Sequence, residues 1–304
     1  MPLYDELWAM PEKQAIPGGS ALNSARSTNF ILKKQGLANK VIYFGSISND
    51  EKGAFLEKVL ADEGLEGNFH KEEGTPTGTC AVVVVKKERS LCANLAAACK
   101  YNIDHLHNNT QPWKTASIIY TTSFFLTSNP TALHEVAKYA SDNDIPFGYN
   151  FSAVFLLQFE LENVLKALVH ADYLFANEDE AAAFAKTQNM EGQPLTEVAK
   201  VIAKWEKSNK KRPRYAIITH GAKPVIVAKN VPGSDDVELI EYPLEPLTPE
   251  QIVDTNGAGD AFVGGFLSQL HQGKDIPACI QAGIALSREV VQRSGCTFPE
   301  NFSL

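Results

Sequence analysis

The stretch that decides the fold is Ile252-Val253-Asp254-Thr255-Asn256-Gly257-Ala258-Gly259-Asp260-Ala261-Phe262. A short extended run enters a glycine-rich turn, and the turn opens a helix. Gly257 and Gly259 let the backbone approach a ligand closely and aim successive N–H groups at it. The helix beginning here adds the positive end of its dipole, so the backbone of Asn256, Gly257, Ala258 and Gly259 forms an anion hole suited to a transferring phosphoryl group. Asp260 stands beside that hole in the first helical turn. A carboxylate there holds phosphate poorly but is well placed to take a proton from an attacking hydroxyl. The helix dipole favours its ionised form. The plainer alternative is a tight turn closed by a capping Asn or Asp. No Gly-Lys-Ser/Thr is present, so this is not a Walker loop, and the spacing is not that of the dinucleotide fingerprint.

Outward from this segment, short apolar runs alternate with helical patterns. Strands are expected at 41–44, 79–85, 117–120, 147–150, 173–176, 215–219, 225–228 and 237–242, all rich in Val, Ile, Tyr and Phe. Helices are expected at 20–35, after Asp50, after Asn129-Pro130, and at 154–171, 178–187, 196–208, 258–272 and 277–293. Asp50, and Asn129 before Pro130, are N-cap signals, while Gly36 and Gly64 are closing signals. Strand–helix alternation predicts an α/β fold with a doubly wound, mostly parallel central sheet flanked by helices. Ligands then belong at the carboxyl ends of the strands. The β-rich run 75–87 has no helix directly after it and reads as a small accessory sheet, a lid over the site.

Composition narrows the function. The chain has 304 residues, 44% of them hydrophobic, which suits one large α/β domain or two. The formal charge of −8 is opposite to that of most nucleic-acid binders, so no nucleic-acid partner is expected. The basic run Lys207–Arg214 reads as a solvated loop. No apolar run approaches the roughly 18 residues of a membrane helix, so no membrane partner is expected either. Five cysteines, at 80, 92, 99, 279 and 296, form no C-x-x-C pair. They read as reduced thiols rather than a zinc site or a disulfide framework. With no signal-like start, the expected address is a reducing compartment, the cytoplasm, with the nucleus as a second location.

A second turn-into-helix lies near the start, Pro17-Gly18-Gly19-Ser20-Ala21-Leu22-Asn23. Ser20 and Asn23, three apart on one helix face, can hydrogen-bond a polyhydroxylated ring. Equally, Ser20 can simply cap the helix while Asn23 faces solvent. A third element is Asn177-Glu178-Asp179-Glu180, directly after the strand at 173–176. Its negative potential suits Mg²⁺ with a water shell. Asn177 as an N-cap followed by dipole-complementing acids accounts for the same residues.

The full D-T-N-G-A-G-D-A-F-x-G-G-F resembles the C-terminal signature of the ribokinase/PfkB family of carbohydrate and nucleoside kinases, and G-G-S-x-x-N resembles its N-terminal signature. Asn177 and Glu180 match its N-x-x-E motif. Pro76–Ala81, Arg89–Leu91, Ala93–Ala98, Phe124–Thr127 and Gly295–Pro299 are similar to the adenosine-phosphorylating members. The resemblance runs from about residue 5 to 299, so that 1–304 forms one ribokinase-like kinase domain, with a lid remnant at 75–97 and part of 1–17.

The resemblance implies ATP-dependent phosphorylation of adenosine at its 5′-hydroxyl, with Mg²⁺ accompanying ATP and the chain acting as a monomer. It makes Asp260 the catalytic base. It places Arg89 on the phosphoryl group and Gly19, Ser20 and Asn23 on the ribose. Cys80, Leu91 and Phe125 line the base pocket, where at least one of Phe124 and Phe125 is also expected in the core. Asn177, Thr219 and Gly221 meet ATP, and Glu180 meets Mg²⁺ through water.

Only 17 residues precede Gly18, and they lack the family's Gly-Asn-x-x-x-Asp pattern. The resemblance therefore implies that a first central strand, part of the lid and a ribose-gripping Asp are missing. Asp5, in a helical context, is the one Asp before the turn. Three readings follow: an incomplete active kinase, a weak or inactive binding or regulatory form, or a kinase of another nucleoside or ribose-like sugar.

Overall fold

The computed structural model describes residues 2–85 and 88–304. They fall into two units, one built from residues 1–102 with 248–304 and the other from 103–247.

The first unit begins with α1 (Pro2–Ala9), α2 (Ser20–Lys34), β1 (Ile42–Ser48), α3 (Glu51–Glu63), β2 (Glu66–Glu72), β3 (Thr79–Val85) and β4 (Glu88–Asn94). Asp50 caps α3 by accepting from the Gly53 N–H, and Gly64 closes it in the left-handed conformation. Strand β1 pairs in parallel with β2, and β3 pairs antiparallel with β4. The sequence reading missed β2, Glu-Gly-Asn-Phe-His-Lys-Glu, which buries one side chain, Phe69. A strand that buries so little carries neither β-propensity nor alternation. Phe69 joins Leu22, Ile47, Leu60 and Leu65 in one core cluster.

The chain then builds the second unit with α4 (Ile103–Asn108), α5 (Thr110–Lys114), β5 (Ile119–Thr122), α6 (Pro130–Asp142), β6 (Phe147–Asn150), α7 (Val154–Phe159), α8 (Leu161–Leu168), β7 (Tyr173–Asn177), α9 (Glu178–Thr187), α10 (Leu195–Lys204), β8 (Tyr215–His220), β9 (Lys223–Asn230) and β10 (Val237–Tyr242). Its six-stranded sheet runs β10-β9-β8-β7-β6-β5. Strands β5 to β8 are parallel, and β9 and β10 continue the sheet antiparallel. Consecutive residues of β6 and β7 are buried, as expected where both faces of a parallel sheet are covered.

The single helix expected at 154–171 is two, because Glu160 leaves helical geometry at φ −123° and ψ 22°. Leu156, Leu157, Val164 and Leu168 are buried on either side, so their spacing hides the break.

The basic run at 207–214 is not a solvated loop, since Lys207 and Arg214 are buried. Arg214 donates to the carbonyls of Leu168, Ala171, Ile202, Trp205 and Glu206, covering the carboxyl ends of α8 and α10. Lys207 pairs with the buried Asp172 at 2.7 Å. Trp113 and Trp205 are packing residues, against Tyr139 and Phe184.

The chain returns to the first unit with α11 (Ala258–His271) and α12 (Ile276–Val291). Helix α11 packs on α2 and α12 through glycines. A Cβ on Gly264 would lie 2.2 Å from Ser27 Cβ, and one on Gly265 2.4 Å from the Ala282 carbonyl oxygen. These glycines weaken an isolated helix by about 1 kcal/mol each, but they let three backbones close on one another.

Candidate active site

The first unit brings together the two glycine turns that lie at opposite ends of the sequence. Gly19, at φ +109°, is the N-cap of α2, and Ser20 is its first helical residue. Ser20 therefore does not cap the helix. Its hydroxyl donates to Asp260 Oδ1 at 2.6 Å, and Asn23 Nδ2 donates to Asp260 Oδ2 at 2.9 Å. Burial raises the Asp260 carboxyl above its ordinary range, and the two donated hydrogen bonds pull against that rise. The other end of the Asn23 amide, Oδ1, is buried and has no hydrogen-bond partner among the described residues.

Gly257 takes the left-handed conformation at φ +78° and serves as the N-cap of α11. A Cβ there would meet Cys296 Cβ at 3.0 Å, so only glycine keeps the loop against this turn. The buried Asp254 fixes the loop from beneath. Its Oδ1 accepts from the Asn256 N–H at 2.9 Å and its Oδ2 from the Gly295 N–H at 2.8 Å. Asp254 is a supporting residue that the motif alone does not single out. A carboxylate two residues before a turn is a loop-fixing signal in its own right.

Two of the four N–H groups expected to face an anion have acceptors within the loop. The Asn256 N–H is turned inward to Asp254, and the Ala258 N–H is directed to the Thr255 carbonyl. Among the described residues, the N–H groups of Gly257 and Gly259 and of Asp260 have no such acceptor. These three N–H groups are therefore the ones left to receive an anion at the start of α11.

A further support is Arg26 on α2. It holds Glu63 and donates to the Cys296 carbonyl at 3.0 Å. The Cys296 thiol is pushed up to about 12, by burial and then by the Asp260 charge, so it stays neutral.

Cys80 and Leu91 lie on the β3–β4 hairpin. The register pairs Cys80 with Ala93 and Val82 with Leu91, which puts all four on one face of the hairpin. Cys80, Val82 and Leu91 are exposed there, forming an apolar face. Cys92 points the other way, toward the Tyr4 hydroxyl at 3.3 Å. The hairpin is anchored where Thr77 donates to Asp50 through its hydroxyl and its N–H. The Arg89 side chain, with Lys86 and Lys87, lies outside the described residues. Asp5 is exposed and pairs with Lys52 at 3.4 Å.

The second unit gathers Asn177, Glu180, Thr219 and Gly221 at the carboxyl ends of β7 and β8. Asn177 and Thr219 are direct partners across these strands, and a Cβ on Gly221 would lie 3.7 Å from Glu178 Oε1. Asn177 and Glu180 form a capping box: the Asn177 side chain accepts from the Glu180 N–H, while the Glu180 carboxylate accepts from the Asn177 N–H and from Nδ2.

Among the described residues no group of three or more His, Cys, Asp or Glu side chains could cage a metal. The Glu180 carboxylate, at the carboxyl end of β7, is chemically suited to a Mg²⁺ held mainly by phosphate and water and contacted through that water. Phe125 is half-buried and Phe124 exposed, so neither is in the core. Leu126 fills that place, because the short helical turn at 123–127 points it inward.

A profile of the pfkB family of carbohydrate kinases matches residues 3–302. Adenosine kinase 1 of Arabidopsis thaliana is 39% identical over 303 residues, 99% of this chain and 85% of that protein. The Anopheles gambiae adenosine kinase, solved with a di(adenosine) tetraphosphate, gives a TM-score of 0.91 at 42% identity, covering 100% of this chain and 87% of that one. The Schistosoma mansoni adenosine kinase, solved with 2-fluoroadenosine, gives 0.90 at 29% identity, covering 98% and 86%. With both signatures folded into one site and the profile matched from end to end, the chain belongs to the pfkB family of carbohydrate kinases.

Proposed function

We propose that this chain transfers the γ-phosphoryl group of ATP to the 5′-hydroxyl of adenosine, giving AMP and ADP. The observation that carries the reading is the Asp260 carboxylate, held beside the N–H groups of the Gly257–Gly259 turn at the start of α11. Its raised pKa brings it nearer the working pH of a general base. The adenosine kinases among its relatives, alike over nearly the whole chain, supply the nucleoside.

In the reaction the 5′-O–H bond breaks and the proton passes to Asp260. A bond forms from O5′ to Pγ as the bond from Pγ to the β-phosphate oxygen breaks, and ADP leaves. The orphan N–H groups of the turn face the charge on the transferring group, where preorganised donors contribute most. Gly19 and the unpartnered Asn23 Oδ1 take ribose hydroxyls. Cys80 and Leu91, on the apolar hairpin face, and Phe125 contact the base. Arg89 serves the phosphoryl group, while Asn177, Thr219 and Gly221 serve ATP. Mg²⁺, held through water by Glu180, supplies charge neutralisation on the phosphates. The segment at 75–97, with part of 1–17, acts as a lid that keeps water from the γ-phosphate. The protein works as a cytoplasmic monomer; its five cysteines are all free thiols, which suits that address.

The test is ADP release with adenosine and Mg·ATP, with adenosine binding followed by calorimetry. Asp260→Asn is expected to lose on the order of 10²–10⁴ in kcat while binding adenosine. Near-normal turnover in that variant overturns the base. Wild-type turnover of ribose but not adenosine overturns the substrate.

A further inference from the structure

We infer that Ser20 and Asn23 are positioning residues for the base, clamping both oxygens of the Asp260 carboxylate from α2. The inference rests on the reading of Asp260 as general base. It assigns the Ser20 hydroxyl to the carboxylate rather than to the ribose.

Three observations support the clamp. Ser20 and Asn23 sit one turn apart on α2 and take one oxygen each, at 2.6 and 2.9 Å. A carboxylate with one donor on each oxygen cannot rotate without breaking a hydrogen bond. Each oxygen still keeps an acceptor site for the incoming proton.

The clamp is also rigidly based. Four residues beyond Asp260 on α11, Gly264 lies against Ser27, Ser24 and Thr28 of α2. Thr28 also donates to the Gly264 carbonyl at 3.3 Å. The donors and the base therefore belong to two helices that cannot slide past one another.

The third observation is that both donors are neutral. A Lys or Arg in either place would hold the carboxylate as firmly but would strip its basicity. Neutral donors orient it and leave burial to keep its affinity for a proton high. Asn23 also fixes its own amide in this way: Nδ2 goes to the base, which leaves the buried Oδ1 for a substrate hydroxyl.

The surroundings make the carboxylate readable by titration. From α2 it is faced by Ser20 and Asn23, neither titratable. From the C-terminal turn it is felt by the Cys296 thiol, which is neutral at working pH. Arg26 is engaged by Glu63 and the Cys296 carbonyl, and Asp254 by two backbone N–H groups.

The test is the pH dependence of kcat and of kcat/KM for Ser20→Ala, Ser20→Cys and Ser20→Thr, with Asp260→Asn alongside. Ser20→Ala is expected to lower kcat about 10- to 100-fold, the scale of one hydrogen bond to a charged group. KM for adenosine should stay within about threefold, since the lost contact is to the base and not to substrate. The acid limb should move to higher pH, because a donor that favours the ionised carboxylate is gone. Ser20→Thr, which keeps the hydroxyl, should return most of the loss. Ser20→Cys, close in size but a weak donor, should behave like Ala and guards against a packing artefact.

A raised KM with an unmoved acid limb and unchanged kcat makes Ser20 a substrate contact and overturns the inference alone. Turnover surviving in Asp260→Asn overturns the base, and the inference with it.

Discussion

Asp254 shows how much one buried carboxylate can do without touching a substrate. Its two oxygens join the Asn256 N–H to the Gly295 N–H, so the glycine turn and the C-terminal turn are held as one piece. Removing it leaves two partly buried backbone donors unpaired. Asp254→Ala is expected to cost about 1–3 kcal/mol of stability. It should also lower kcat more than it raises KM for adenosine, because it holds the turn whose free N–H groups are proposed to face the transferring group. Urea denaturation and steady-state kinetics check both parts; unchanged kcat would show that the turn holds its shape unaided. At this scale the sequence was readable where chemistry is local. Gly257 as a turn glycine and the Asn177–Glu180 pair as a helix cap could both be read from local pattern. What each one touches was not readable: Ser20 reaches Asp260 across 240 positions of sequence, and the Asn256 N–H goes to Asp254.

Among elements, the crossing of α2 and α11 governs the site. Ser20 and Asn23 approach Asp260 only because Gly264 has no side chain to hold the helices apart. Gly264→Ala would place a Cβ 2.2 Å from Ser27 Cβ and 2.9 Å from both the Ser24 carbonyl oxygen and the Thr28 nitrogen. Overpacking of this kind costs about 1–3 kcal/mol, or more where the neighbour is backbone. A lower Tm together with a loss of kcat is expected. Ser27→Gly added to it should recover only part of either, since the two backbone clashes remain. Full recovery in the double variant would mean that the helices adjust more freely than close packing allows. Elements with caps were the readable ones: α3 starts at Asp50, α6 after Asn129, and β3, β6 and β10 fall where their apolar runs predict. Strand β2 and the break at Glu160 were not, because one is polar and the other leaves the apolar spacing intact.

At the scale of the whole molecule, the chain leaves its first unit after residue 102 and returns at 248. The second unit carries its own stability device. Arg214, fully buried, donates to five carbonyls at the ends of α8, α10 and their loops. Arg214→Met should destabilise this unit by roughly 3–5 kcal/mol, with faster hydrogen exchange concentrated in 103–247. Arg214→Lys should recover little, since one ammonium cannot span the fork of the guanidinium. A variant with the wild-type urea midpoint would contradict the role. The sequence by itself determined the family, the α/β class and the glycine turns, because these rest on local pattern: period, caps, and glycine where backbone must come close. The tertiary structure alone decided that Lys207 and Arg214 are buried, which N–H groups of the glycine turn have acceptors within it, and that Ser20 and Asn23 grip the carboxylate. Those depend on which groups are brought together across hundreds of residues and which are thereby left without a partner, and no spacing along a chain records that.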